Sequence, residues 1–285
     1  MRDVTVVVTG GSMGVGYACA QQLVREGARV VLCARGREAL EEAAVALRSE
    51  VAGAVVRTVA ADVAEPDQVE RVFDAAEEWE AGGVRGVVHA AAVLGPIGPV
   101  VGQDPTAWLQ AVRVNLYGTF LVARAACRRM IRAGSGGSIV LLSGGGATGP
   151  FPNYTAYASA KAGVARFAEN LALEVARHGI RVNCLGPGFV ATRMHQQTLA
   201  AGEAAGHDYL ERTKADLARG GVPASLAAHA AVFLLSERAS GISGRLLAVP
   251  WDDWKRWPDH LDDMRDPDLF SLRRIVPRDR GKDWQ

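Results

Sequence analysis

The sequence is short of cysteine, net charge and long apolar runs, and each shortage removes a class of protein. Its four cysteines in 285 residues, Cys19, Cys33, Cys127 and Cys184, are too scattered for paired zinc ligands and too few for the disulfide framework of a small secreted domain. They read as buried, reduced thiols. Lys and Arg number 32 against 31 Asp and Glu, and the formal charge of +1 provides no electrostatic footprint for nucleic acid or an anionic membrane. The expected partner is a small molecule. No stretch of about 18 apolar residues occurs and no basic segment leads into an apolar one at the start, so neither a membrane span nor export is expected, and the expected compartment is the cytoplasm.

What is present is an apolar fraction of 49% beside 22% charged residues, with 32 Gly against 12 Pro, the composition of a chain that buries a sizeable core. The length suits one large domain plus a tail. Composition changes once, near residue 250: the 35 residues from Trp251 to Gln285 carry eight basic and nine acidic side chains and four of the six tryptophans. The expected division is a domain over 1–250 and an extension over 251–285.

Short β-rich runs at Val4–Val8, Arg29–Cys33, Ala54–Ala60, Gly86–His89, Ser138–Leu142, Arg181–Leu185 and Leu246–Val249 predict seven strands. Between the first six lie helical patterns at Val15–Glu26, Arg37–Glu50, Pro66–Glu80, Thr106–Arg132 and Thr155–His178. Helical crossovers of this kind join parallel strands, and near-continuous Val, Leu, Ile and Ala in the strands means that both sheet faces are covered. The prediction is a doubly wound α/β sheet whose ligand sits beyond the carboxyl ends of the strands.

Directly after the first strand comes Thr9-Gly10-Gly11-Ser12-Met13-Gly14-Val15-Gly16, and then a helix. Glycines here permit a tight turn and close backbone approach, and a helix start aims unpaired N–H groups at an anion, as a dinucleotide pyrophosphate requires. Gly10, Ser12, Met13, Gly14 and Gly16 are therefore candidate cofactor-binding positions, against a turn that serves only helix-on-sheet packing. The second strand ends Cys33-Ala34-Arg35-Gly36-Arg37, without the carboxylate that would hold an NAD ribose. Arg35, with Arg37 as a weaker second, suits the 2′-phosphate of NADP, so NADP is favoured and NAD remains open. Asp62 and Val63 are placed to meet the adenine, or Asp62 serves as a helix N-cap.

Tyr157-Ala158-Ser159-Ala160-Lys161 lies in a helical stretch, which puts a phenol and an ammonium on one face about 5–6 Å apart at Cβ. A neighbouring cation is expected to lower the phenol pKa from about 10 and make Tyr157 an acid or base.

The glycine turn, Asn115 within Val114-Asn115-Leu116-Tyr117-Gly118-Thr119, Ser143 after a strand, Tyr157-x-x-x-Lys161 and Pro187-Gly188-Phe189-Val190-Ala191-Thr192 together resemble the short-chain dehydrogenase/reductase family across residues 1–249. The resemblance implies a Rossmann-type sheet of order 3-2-1-4-5-6-7 with a C-terminal extension, a nicotinamide cofactor, and interconversion of a secondary alcohol and a ketone. It implies that Tyr157 transfers the proton, Lys161 tunes it and binds the nicotinamide ribose, Asn115 anchors a water leading to Lys161, and Ser143 binds the substrate oxygen. Pro187, Gly188, Val190 and Thr192 would shape the nicotinamide wall, with Ala91 also on the cofactor, and the assembly would be a homotetramer or homodimer.

Two departures stand out. Ser143 precedes Tyr157 by 14 residues where the family has 13, so Gly144 takes the usual position; an expanded Gly144-Gly145-Gly146 loop is expected to return Ser143 to the site, with Thr148 a distant substitute. The family's Asn-Asn-Ala-Gly is His89-Ala90-Ala91-Ala92, and His89 reads as a structural hydrogen-bonding residue. The polar segment Arg193–Gly220, where the family has its lid, suggests a hydrophilic substrate such as a sugar, cyclitol, nucleoside or natural-product intermediate. Trp251, Trp254 and Trp257 are expected to pack on the core, with the rest of the tail crossing a subunit contact. The alternatives are a cofactor-retaining epimerase and a catalytically silent nucleotide sensor or scaffold.

Overall fold

The computed structural model describes residues 1–79 and 83–284. Seven strands, β1 (Thr5–Thr9), β2 (Arg29–Ala34), β3 (Val56–Ala60), β4 (Val84–His89), β5 (Gly137–Leu142), β6 (Ile180–Gly186) and β7 (Leu246–Ala248), form one parallel sheet in the order 3-2-1-4-5-6-7. The strand ends differ from the expected bounds by no more than two residues, because ladder hydrogen bonds rather than apolar periodicity set where a strand stops.

Helices cover both faces. On one face, α1 (Gly14–Arg25), α2 (Arg37–Glu50) and α9 (Ala224–Leu235) pack on Val6, Val8, Val30, Leu32 and Val140. On the other, α3 (Pro66–Glu77), α5 (Gly118–Ala133) and α6 (Thr155–Val175) pack on Val7, Val31, Val87, Ile139 and Leu141. Alternate residues of one strand thus serve opposite cores, which is why the strands read as continuous apolar runs. Cys19, Cys33, Cys127 and Cys184 are all free and buried, and burial pushes Cys19, Cys33 and Cys184 up to about 12. The end of the expected helix at Glu80 lies outside the described residues.

The long helix expected over Thr106–Arg132 is interrupted. Asp104 caps α4 (Pro105–Val112) by accepting from the Thr106 and Ala107 amides; a π-helical turn follows over Arg113–Tyr117, and α5 continues from Gly118. The cause is tertiary. Asn115 is fully buried inside the π turn, its Nδ2 donating to Val93 O at 2.7 Å and its Oδ1 accepting from Val93 N at 3.0 Å, which ties the turn to the loop after β4.

The extension is built on the same core. Its 3₁₀ turns at Trp254–His260 and Asp263–Arg265 bury Trp254, Trp257 and Met264, with Trp254 tilted against Phe233 of α9 at 5.3 Å between ring centres. The chain then runs past the free edge of β7: Leu246 N donates to Phe270 O at 2.7 Å, and Leu272 N donates to Glu169 on α6, also at 2.7 Å. An edge strand with unpaired amides is a template for unwanted pairing, and here the chain covers its own. Trp251 departs from expectation: it stays 73% exposed, because the turn that carries it closes on Ala248 before the chain re-enters the core at Trp254.

Candidate active site

A cleft of about 1690 Å³ runs along the carboxyl ends of the strands. It brings together Gly10, Ser12, Met13, Gly14, Gly16, Arg35, Asp62, Val63, Ala91, Ser143, Tyr157, Lys161, Pro187, Gly188, Val190 and Thr192. Of the sequence-derived candidates, Asn115 and Arg37, the weaker second for the 2′-phosphate, do not line it.

At the β1–α1 turn the backbone is crowded in a way only glycine allows. A Cβ on Gly10, at φ +66°, would stand 2.8 Å from Ala90 C and Ala91 N, and one on Gly16 would stand 2.3 Å from Gly10 O. Met13 offers no side-chain cap to α1, and the first turn holds no acidic residue. First-turn N–H groups with neither a cap nor a carboxylate nearby suit a phosphate. Thr192 faces the same turn, its Cγ2 3.4 Å from where a Gly14 Cβ would be. At the other end, Arg35 is exposed at the cleft margin, and among the described residues it makes no ion pair. Asp62 Oδ1 accepts from Ala64 N at 2.9 Å, so its carboxylate organises the loop it stands in while lining the cleft. These donors and the cradle fit a dinucleotide.

Farther along the cleft, Tyr157 and Lys161 lie one turn apart on α6, both buried, with Lys161 Nζ 5.7 Å from the Tyr157 ring centre. Lys161 donates to Leu142 O at 2.6 Å, and burial lowers its pKa to about 8. The Tyr157 phenol is not acidified as the sequence pattern suggests: burial, with a smaller contribution from Tyr209, raises it above its ordinary range. The reason is that both groups are desolvated together and the ammonium is already engaged by a carbonyl, so burial outweighs its field at the phenol.

Ser143 continues the β5–β6 ladder through its N–H, donating to Leu185 O at 2.9 Å, and its Oγ is buried with no partner among the described residues. Gly144 lies directly against the Tyr157 hydroxyl. The loop that follows closes in a turn in which Ala147 N donates to Gly144 O at 3.2 Å and Gly146 adopts φ +83°. Thr148 also lines the cleft.

His89 is buried below the glycine turn, its Nδ1 2.8 Å from Thr9 Oγ1, and burial lowers its pKa to about 3. It stays neutral and braces β1 against β4.

The segment Arg193–Gly220 folds as α7 (Arg193–Ala201) and α8 (His207–Ala218) over the cleft. An aromatic cluster that sequence reasoning missed fixes it there: Phe151 stacks on Tyr154 at 4.3 Å, and Tyr209 of α8 meets both rings edge-on. Tyr154 is fully buried and its hydroxyl donates to Thr198 of α7 at 3.0 Å. It therefore anchors the lid, whereas Tyr157, four residues before Lys161, faces the cleft. No local pattern announces contacts between residues 44 or more apart. Pro250 and Trp251 also line the cleft, and a Cβ on Gly188, at φ +77°, would stand 2.4 Å from Pro250 Cγ.

Among the described residues no helix is long and apolar enough to cross a membrane, and no cluster of His, Cys, Asp or Glu could hold a metal ion.

Comparison with known proteins accords with this geometry. A family model described as enoyl-(acyl carrier protein) reductase matches residues 10–250. The 2-(S)-hydroxypropyl-CoM dehydrogenase 3 of Xanthobacter autotrophicus is 32% identical over 87% of this chain and 96% of its own. The L-rhamnose 1-dehydrogenase (NAD(P)(+)) of Azotobacter vinelandii is 34% identical over 87% and 95%. A variant of actinorhodin polyketide ketoreductase solved with NADPH superposes with a TM-score of 0.77 at 30% identity, covering 87% of this chain and 97% of that one. With an uncapped glycine turn after β1, a 3-2-1-4-5-6-7 sheet and a tyrosine–lysine pair at the carboxyl ends of its strands, the chain belongs to the short-chain dehydrogenase/reductase family and is an NAD(P)-dependent dehydrogenase/reductase.

Proposed function

We propose that this protein is an NADP(H)-dependent oxidoreductase that interconverts a secondary alcohol and a ketone on a polar small molecule, with Tyr157 as the proton donor and acceptor. The observation that carries the reading is the buried Tyr157–Lys161 pair beside the unpartnered Ser143 hydroxyl in the cleft. Buried polar atoms rarely go unpaired, and a substrate oxygen would give Ser143 Oγ its partner.

When bound, the nicotinamide supplies or accepts the hydride. The chain's own residues do the rest. In reduction, the Tyr157 phenol, held protonated by burial, gives its proton to the substrate oxygen, and Ser143 donates a hydrogen bond to the charge that develops there. Lys161, with a pKa of about 8, is mostly charged at neutral pH and steadies the phenolate left behind. Asn115 holds the π turn in place on Val93 and acts by position. Gly10, Ser12, Met13, Gly14 and Gly16 receive the diphosphate; Pro187, Gly188, Val190 and Thr192 form the nicotinamide wall, and Ala91, Asp62 and Val63 the ribose and adenine side. Arg35 favours the 2′-phosphate, hence NADP over NAD.

Two relatives whose names give sugar-type substrates support a polar substrate: the rhamnose dehydrogenase and a galactitol 2-dehydrogenase of Cereibacter sphaeroides, 33% identical. His207, Asp208 and Arg212 on the lid present hydrogen-bonding groups to the cleft. We further propose a cytoplasmic homotetramer or homodimer, built from a catalytic unit over 1–250 and an extension over 251–285. The test follows NADPH oxidation across a panel of polar ketones and NADP⁺ reduction across the matching alcohols, with Kd measured for NADPH and NADH. Turnover with polar members and tighter NADPH binding are expected. Turnover of lipophilic ketones alone would overturn the substrate class, and cofactor binding without net oxidation would overturn the oxidoreductase reading.

A further inference from the structure

We infer that Trp251 is a specificity-determining residue that stacks its indole on a hydroxylated alicyclic ring, so that the substrate is a sugar ring or cyclitol rather than an open-chain polyol; this rests on the reading just proposed. The tryptophans that follow β7 differ sharply in burial. Trp254 and Trp257 are about 5% exposed, while Trp251, in the same short segment, is 73% exposed. Trp284 is exposed as well, at 63%, but it does not line the cleft; Trp251 does, and an exposed aromatic ring in a ligand cleft offers a flat apolar surface to what binds there.

Trp251 is held in this state from both sides. Its own N–H and that of Asp252 both donate to Ala248 O at 3.0 Å, and Asp252 Oδ2 accepts from Ala248 N at 2.7 Å, closing a tight turn at the end of β7. On the far side Trp254 is locked in the core. Ahead of it, Pro250 packs on Gly188, which belongs to the nicotinamide wall.

The sheet order places this indole at the substrate end. Arg35 after β2, the β1–α1 turn, and Pro187 and Gly188 after β6 would hold a dinucleotide whose nicotinamide end would come nearest β7, and Trp251 follows β7 into the same cleft. The lid contributes His207, Asp208 and Arg212 to the same cleft. One apolar flat wall and several hydrogen-bonding groups match a ring with a C–H face and hydroxyl edges. An open-chain polyol offers the hydroxyls without the rigid face.

The test compares the wild-type protein with Trp251→Ala and Trp251→Phe on cyclic substrates (cyclohexanediols, inositols, pyranoses) and acyclic polyols of equal carbon number. A preference of at least about tenfold in kcat/KM for rings is expected. Trp251→Ala should remove it through KM, leaving kcat, acyclic substrates and NADPH Kd unmoved, and Trp251→Phe should keep most of it. Independently of turnover, the acrylamide-quenchable fluorescence that Trp251→Phe removes should be protected by the ring compounds in the presence of cofactor. An unchanged ring preference in Trp251→Ala, or no ring-dependent protection, overturns the inference. So does protection that needs no ligand and grows with protein concentration, which would put a second copy on Trp251. Absence of turnover with ring protection intact would sink the oxidoreductase reading alone; turnover indifferent to Trp251 would sink this one alone.

Discussion

The Tyr157 hydroxyl occupies space that a side chain at Gly144 would need: a Cβ built on Gly144 would stand 2.3 Å from it. Gly144 is also the position, 13 residues before Tyr157, where the family pattern has serine. In this chain the serine, Ser143, stands one residue earlier, and Gly144 is the surface on which the phenol rests. Gly144→Ala is therefore expected to displace Tyr157 and lower kcat by about 10²-fold or more, with NADPH Kd little changed, since small misplacements at a reacting centre have effects of that order. Ser143→Ala tests the other half of the exchange. A fall in kcat of about 10²–10³-fold is expected from the loss of one donor to the developing oxyanion.

Tyr157→Phe removes the proton carrier and keeps the ring. General acid–base catalysis contributes about 10²–10⁴-fold, so kcat should fall by that factor while fluorescence titration gives an unaltered cofactor Kd. Near-wild-type turnover would remove Tyr157 from the mechanism.

Arg35 gives the cofactor prediction. A charge-assisted hydrogen bond is worth about 1.5–3 kcal/mol, so Arg35→Ala should weaken NADPH binding by about 10–150-fold and leave NADH binding nearly constant. Calorimetric titration of both cofactors decides it, and equal effects on the two would contradict a 2′-phosphate contact.

His89 supplies a stability prediction with a defined sign. Its pKa falls from the ordinary 6.5 to about 3 on burial, so between those values the unfolded chain binds a proton that the native chain does not. Stability then falls as pH drops from about 6.5 towards 3. His89→Asn retains a partner for Thr9 and removes the titration, so its melting temperature should decline less steeply over that range than the wild type's. Parallel curves would refute the assignment.

Trp257 tests the extension. It is 4% exposed, and truncation of a buried tryptophan costs about 3–5 kcal/mol. Trp257→Ala should lower the denaturant midpoint accordingly, and unchanged stability would mean that the extension is dispensable to the fold.

The sequence by itself determined the sheet, the glycine turn and the tyrosine–lysine pair, because each is written in local terms: apolar runs of strand length, glycines where a helix starts, and a four-residue helical spacing. His89 as a brace was equally local, a polar residue at the end of an apolar strand. Tertiary structure decided the rest. The π turn at Asn115 arises from bonds to Val93, 22 residues away; the aromatic lid anchor joins Phe151, Tyr154 and Tyr209; and Trp251 differs from Trp254 only in which side of a turn it falls on. The direction of the Tyr157 shift was likewise out of reach, since spacing gives the nearness of a charge and only packing gives the desolvation that opposes it.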